Sequence, residues 1–137
     1  MANALELLTD DHRKVEDLFD EFEQSGDEST AAQICDELTI HTQLEESIVY
    51  PELKRLDADL EQEAEHEHSE AKQLIERIRT ASGDDLVDLV DQLRDAIEHH
   101  VSEEESKAFP ELATLGEVRL DEMGEAIMDA KARDGVT

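Results

Sequence analysis

The chain has 137 residues, enough for one domain with a real core, since a domain near this size buries about 70% of the surface its unfolded chain exposes. Its 12 Lys+Arg against 39 Asp+Glu give a net charge of -27, which excludes ordinary binding to nucleic-acid phosphates and disfavours anionic membrane surfaces. With three Phe, one Tyr and no Trp, the core must be built from Leu, Ile, Val and Ala, and with five Gly and two Pro that mixture reads as helical.

The opening MANALELLTDDH has neither a basic n-region nor an apolar h-region, so no signal peptide is expected. A first amphipathic helix runs from about Leu5 to Glu23, with Leu8, Val15, Phe19 and Phe22 on one stripe. Ser25 to Ser29 (SGDES) break it and supply a cap for the next. The second helix runs from about Thr30 to Tyr50, with Ile34, Leu38 and Ile48 inward, and Pro51 forces a stop or a kink. Its single Cys35 reads as a small buried side chain; one cysteine excludes an internal disulfide and fits a reducing compartment. The third runs from about Asp57 to Thr80, with Leu60, Ala64, Ala71, Ile75 and Ile78 inward. Ser82 to Asp85 (SGDD) form the next turn and cap. The fourth runs from about Asp85 to Lys107, with Leu86, Val90, Leu93 and Ile97 inward, and ends before Pro110. A shorter amphipathic cover helix, about Leu120 to Arg133, carries Met123, Ile127 and Ala130.

The expected fold is all-α: an up-down-up-down four-helix bundle with a short C-terminal fifth helix. One domain is expected over 1–137, its core at about 4–115 and the last helix at about 116–134. No stretch approaches the roughly 20 apolar residues of a membrane span. A soluble, cytoplasmic protein is expected, and the acid excess suits either a salt-adapted host, in which self-repulsion is screened, or a merely acidic surface.

The chain repeats itself. His41 to Leu53 (HTQLEESIVYPEL) matches His100 to Leu112 (HVSEEESKAFPEL) at an offset of 59, with Tyr50 opposite Phe109. His12-x-x-Val15-x-x-Leu18-Phe19 matches His68-x-x-Ala71-x-x-Leu74-Ile75 more weakly. The sequence therefore reads as two similar helical hairpins, each with one His on its first helix and His-x-x-x-Glu on its second.

His-x-x-x-Glu places two side chains one turn apart on one helix face. In so acidic a chain the motif alone says little, because His12, His41, His66, His99 and His100 all have Glu four residues on. Position on the helix decides. At about 100° per residue, Ile34, Leu38, His41, Glu45 and Ile48 share one stripe, as do Leu86, Leu93, Ile97, His100 and Glu104. His12 sits among Leu8, Val15 and Phe19, and His68 among Ala64, Ala71 and Ile75. His66 and His99 project from polar sides and are expected to be bystanders; Glu46, Glu103 and Glu105 point away and are expected to be solvated. Tyr50, near the end of the second helix, could reach the metal pocket, but the commoner role, a packing aromatic with its hydroxyl at the rim, is the one expected.

An ionised Glu on an apolar stripe is costly unless something neutralises it. Four imidazoles and two carboxylates in one core suit two divalent ions, with carboxylates able to bridge them. Mixed nitrogen and oxygen donors suit iron, with zinc or manganese possible, whereas calcium and magnesium want more oxygen.

The segments LLTDDHRKVEDLF, HTQLEESIVYPEL, EHSEAKQLI and HHVSEEESKAFPEL make the chain similar to the hemerythrin-like, or HHE cation-binding, domains, over about Ala4 to Leu115. Carried onto these positions, the resemblance implies that His12, His41, Glu45, His68, His100 and Glu104 ligate a non-haem di-iron centre with an oxo or hydroxo bridge. Glu45 and Glu104 would be the bridging carboxylates. Oxygen-carrying hemerythrins have a second His four residues after the third-helix His; here that residue is Lys72, so the pattern is closer to the symmetric HHE branch. The implied function is binding or sensing of O2 or NO at an open iron position. Two alternatives stand beside it. One is an enzyme consuming peroxide or nitric oxide, or supplying iron for iron–sulfur cluster repair. The other is iron storage or buffering.

Overall fold

The computed structural model describes residues 2–133. Helix α1 (Ala4–Ser25) starts on a capping box: the Asn3 side chain accepts the Glu6 N–H at 3.0 Å, and the Glu6 carboxylate accepts the Asn3 N–H at 3.4 Å. It ends at Gly26, whose left-handed φ of 65° lets its N–H reach the Phe22 carbonyl at 2.7 Å. Helix α2 (Glu28–Leu44) passes into a π turn (Glu45–Val49) and resumes as α3 (Tyr50–Leu56). Helix α4 (Ala58–Ile78) is capped by the Asp57 carboxylate on the Leu60 N–H at 3.1 Å. Helix α5 (Gly83–Glu103) likewise passes through a π turn (Glu104–Ala108) into α6 (Phe109–Ala113), and α7 (Glu117–Arg133) follows.

Three expectations need correction. Pro51 and Pro110 do not stop their helices. A proline lacks the N–H and crowds the carbonyl four residues back. Here each follows a π turn, in which the Tyr50 and Phe109 N–H groups reach back to the carbonyls of Glu45 and Glu104. Each proline then sits in the first turn of the resumed helix, where no N–H is needed. The extra residue also shifts the phase, so Val49 is buried and Ile48 only half-buried. Finally, Asp27 and Ser82 hold the cap positions of α2 and α5 without a side-chain cap bond.

Two apolar clusters fill the bundle. One contains Val15, Phe19, Leu38, Ala71, Leu93 and Ile97. The other contains Leu8, Leu44, Val49, Ala64, Ala108 and Leu112. Along α1 and α4 the chain leaves the second cluster, passes a buried His and enters the first (Leu8, His12, Val15; Ala64, His68, Ala71). Along α2 and α5 it runs the other way (Leu38, His41, Leu44; Ile97, His100, Ala108). The four long helices therefore alternate in direction, and their histidines form one polar layer between two dry cores. Each fully buried leucine here, such as Leu93, contributes about 1.5–3 kcal/mol.

Helix α7 closes the second cluster with Leu120, Met123 and Ile127. Gly124 makes that approach possible: a Cβ there would stand 2.7 Å from the Ala2 carbonyl oxygen. Among the described residues, no helix is long and apolar enough to cross a membrane. Cys35 is buried in the first cluster, and burial raises its thiol pKa.

Candidate metal centre

All six residues singled out from the helical stripes are buried in the layer between the two clusters; Glu45 is 0% and Glu104 4% exposed. The imidazoles present Nε2 to the centre. His41 Nε2 stands 3.3 Å and His68 Nε2 3.1 Å from Glu45 Oε1. His12 Nε2 stands 3.0 Å from Glu104 Oε1, and His100 Nε2 3.2 Å from Glu104 Oε2. His68 Nε2 and His100 Nε2 are 3.2 Å apart.

These donors fall into two groups, each with ligand atoms within 4.8 Å of one another: His12, His41, Glu45 and Glu104, and Glu45, His68, His100 and Glu104. Both glutamates belong to both groups. Glu45 and Glu104 begin the two π turns, so the local widening of the helix occurs where a side chain must be shared. Four of the donor atoms, His12 Nε2, His41 Nε2, Glu45 Oε2 and Glu104 Oε1, are buried without an aligned hydrogen-bond partner. A buried, unpaired polar atom costs about 1–3 kcal/mol. Four such atoms converging on one point fit a cation-binding pocket of nitrogen and oxygen donors.

The outward nitrogens carry a second set of contacts that the sequence stripes missed. Each Nδ1–H donates to a carboxylate: His12 to Glu105 at 2.8 Å, His41 to Asp11 at 3.0 Å, His68 to Glu46 at 2.8 Å and His100 to Glu67 at 2.7 Å. Such bonds fix the tautomer and aim Nε2 inward. Glu46 and Glu105 are therefore not free solvated acids, as expected, but half-buried partners of imidazoles; Glu103 is also half-buried, beside Lys107. Their helical angle does point away from their own helix's stripe, but it points at the neighbouring helix. Asp11 and Glu67 lie off the apolar stripes, and their one sequence signal is an acid directly before His12 and again before His68 in the repeat. His66 and His99 stay outside the pocket: His66 pairs with Glu70 at 3.1 Å, and His99 touches the far oxygen of Glu67 at 3.2 Å.

Tyr50 corrects another expectation. Its hydroxyl is not at the rim but in the centre, 2.9 Å from His68 Nε2 and 3.3 Å from His100 Nε2, donating to Glu104 Oε2 at 3.0 Å. The phase shift of the π turn swings it there. Its counterpart Phe109 has no hydroxyl, and its ring stacks on His12 at 6.0 Å.

Without an ion, the carboxylates keep imidazoles charged. Burial alone would lower the His41 pKa, but the charge of Glu45 and the Asp11 bond push it up to about 10. His100 is raised for the same reasons, by Glu104 and Glu67. Burial would raise Glu104, yet Glu45, His100 and His12 outweigh it and hold it well below the usual carboxylate range. Burial and the two glutamates keep the Tyr50 phenol protonated.

The sequence model of the Hemerythrin HHE cation binding domain matches residues 3–127. A protein of Nostoc sp. named DNA nickase is 36% identical over 114 residues, covering 78% of this chain and 32% of that protein. An uncharacterized hemerythrin-like protein of Schizosaccharomyces pombe is 25% identical over 120 residues, covering 80% of this chain and 59% of that one. The chain thus spans about a third and somewhat over half of these relatives' lengths. In fold it is similar to the crystal structure of a hemerythrin HHE cation binding domain-containing protein from Mycobacterium kansasii, with a TM-score of 0.85 and 22% identity, over 97% of this chain and 87% of that one. A family match along nearly the whole sequence, on a helical bundle whose buried His and Glu side chains can hold cations, makes this chain a member of the hemerythrin HHE cation-binding domain family.

Proposed function

We propose that this chain is a non-haem di-iron protein that binds or senses O2 or NO. One observation carries the reading: a single buried layer offers two four-donor groups that share both carboxylates. Two imidazoles and two carboxylates per position suit iron, and a pocket sharing its anions between two positions suits a pair of ions. When bound, iron would supply an open coordination position and electron density for a diatomic ligand.

The residues divide the work. His12, His41, His68 and His100 would ligate through Nε2, held in that tautomer by Glu105, Asp11, Glu46 and Glu67. Glu45 and Glu104 would bridge. The two apolar clusters keep water away from both ends of the layer. Tyr50 places one hydroxyl donor beside His68 and His100. That donor favours a second reading, consumption of peroxide or NO, because such chemistry needs a proton source at the site. The nicking activity in the Nostoc relative's name belongs to a protein of which this chain spans 32%, and the net charge of -27 supports a reading without nucleic acid. The same charge, with the lone buried thiol, supports a salt-adapted cytoplasm as the setting.

Metal analysis of protein loaded with ferrous iron, with absorption spectra under nitrogen, air and NO, tests the reading. Two irons per chain and a spectrum that responds to O2 or NO are expected. Many irons per chain would favour storage, peroxide turnover in stopped flow would favour the enzyme, and no iron at all would sink the proposal.

A further inference from the structure

A cleft of about 460 Å³ lies between α1 and α5, the pair of adjacent long helices in least contact. Its rim carries Glu16, Glu98 and Glu105, and its floor carries Val15, Ile97 and Val101. Behind that floor is a smaller, more enclosed cavity of about 20 Å³, whose lining includes His12, His41, Glu45, His68 and His100 together with Leu38 and Ala71. The cleft and the cavity have His12, Val15, Ile97 and Val101 in common. A partition one side chain thick, made of Val15, Ile97 and Val101 beside the His12 ring, is thus all that separates the cleft from the donor atoms.

From this we infer that the α1–α5 cleft is the way in for the small ligand, and that Val15, Ile97 and Val101 are its gate. The inference rests on the ligand-binding function proposed above and adds the route and the ligand's chemistry. A space of 20 Å³ exceeds the roughly 10–15 Å³ that one water requires, which admits a diatomic and little more. The gate offers no hydrogen bond, so an ion or a strongly hydrated solute loses several kcal/mol in crossing it while a neutral diatomic loses almost nothing. The rim is net acidic as well, three glutamates against Arg94, which is paired with Glu98, so it disfavours anions. The ligand class selected is therefore neutral and two heavy atoms long, and it arrives beside His12, the one histidine that lines both the cleft and the cavity. His12 Nε2 is one of the unpartnered donor atoms, and Phe109, rather than a tyrosine, stacks on that ring.

A second opening, lined by Leu60, Glu63, Glu67, Glu103 and Glu104, reaches the centre from the α4–α5 side. Its acidic lining suits cations, and it serves as the internal control. The test uses iron-loaded protein and NO in stopped flow. Val101→Trp should slow association and dissociation together, each by about tenfold or more, leaving the equilibrium constant unchanged, since a gate alters rates and not affinity. Ile97→Phe, a milder change, should act in the same direction. Leu60→Trp should leave both rates alone. Unchanged rates in both gate variants, or slowing by Leu60→Trp instead, overturn the route. Methyl NMR of zinc-loaded protein under dissolved O2 gives a readout that needs no iron. Paramagnetic broadening should be stronger at Val15, Ile97 and Val101 than at Ile78 and Leu86, and equal broadening would remove the cavity from the argument. If wild-type protein takes up iron but binds no NO, the ligand-binding function fails, and the O2 broadening still decides whether the cavity admits a diatomic.

Discussion

The two hairpins of this chain are copies in their chemistry and not in their surroundings. Each has an acid followed by His on its first helix and His-x-x-x-Glu-Glu on its second, with a π turn at the first Glu. The bonds obey the same symmetry: Asp11 holds His41 and Glu67 holds His100 within a hairpin, while Glu46 holds His68 and Glu105 holds His12 across the two. The differences lie one shell out. Tyr50 fills the His68/His100 side where Phe109 leaves the His12/His41 side without a hydroxyl. Asp11 is backed by Lys131 of α7 at 2.6 Å, and Glu67 by His99 at 3.2 Å. A duplicated scaffold specifies the donors twice, and a few unduplicated neighbours suffice to make the two positions unequal.

The symmetric part breaks most completely when the shared residues go. Glu104→Ala or Glu45→Ala should abolish binding of both ions, because each belongs to both donor groups. Removing the ions with a chelator should have a comparable effect on stability. Each ion held at a hundred times its dissociation constant contributes about 2.7 kcal/mol, so two should raise Tm by on the order of 10 °C, read by thermal melts with and without chelator. An identical melt in chelator would show that nothing is bound.

Single-half changes come next. His41→Ala and His100→Ala should each reduce the count from two ions to about one by elemental analysis, while His99→Ala should keep both. Loss of metal in His99→Ala but not in His100→Ala would mean that α5 is rotated by one residue from the arrangement seen here. Weaker effects belong to the outer carboxylates: Glu46→Gln and Glu105→Gln should each cost about 10- to 100-fold in affinity at one position, read by competition with a chelating dye.

The convergence of the six inner side chains was legible because helical phase is arithmetic: an apolar stripe interrupted by His and Glu must face the core. The outer carboxylates were not, since a stripe describes one helix and Glu46 and Glu105 work on another. Nor was the course of the chain through Pro51 and Pro110. Proline predicts a break in an α ladder, and the π turn before each relieves the clash by a local change in hydrogen bonding that composition does not encode. Tyr50 was misplaced for that same reason: one extra residue in the turn rotates everything after it by about 100°. Helix α7 was legible as an amphipathic cover but not as a partner of the centre, because its bond to Asp11 spans 120 residues.

Tyr50→Phe makes the two halves alike. It should retain two ions, change the absorption spectrum, and remove the one hydroxyl that touches His68, His100 and Glu104. If peroxide turnover is present in the wild type, this variant should lower it more than it lowers affinity.

The smallest effect tests the other asymmetry. Lys131 touches no donor; it acts through Asp11, which orients His41. The pair is only partly shielded, with the lysine side chain 22% exposed, so an exposed-pair worth of up to about 1 kcal/mol is the right scale. Lys131→Met should therefore weaken metal binding at the His12/His41 position by about two- to fivefold and leave the other unchanged, seen as a change in only one phase of a calorimetric titration. Lys131→Arg should restore it. A general loss of stability from loosening α7 would instead lower both phases together and would not be rescued by the arginine. Because the two outcomes differ in which position changes, even so small an effect separates a helix that merely covers the bundle end from one that also steadies a ligand.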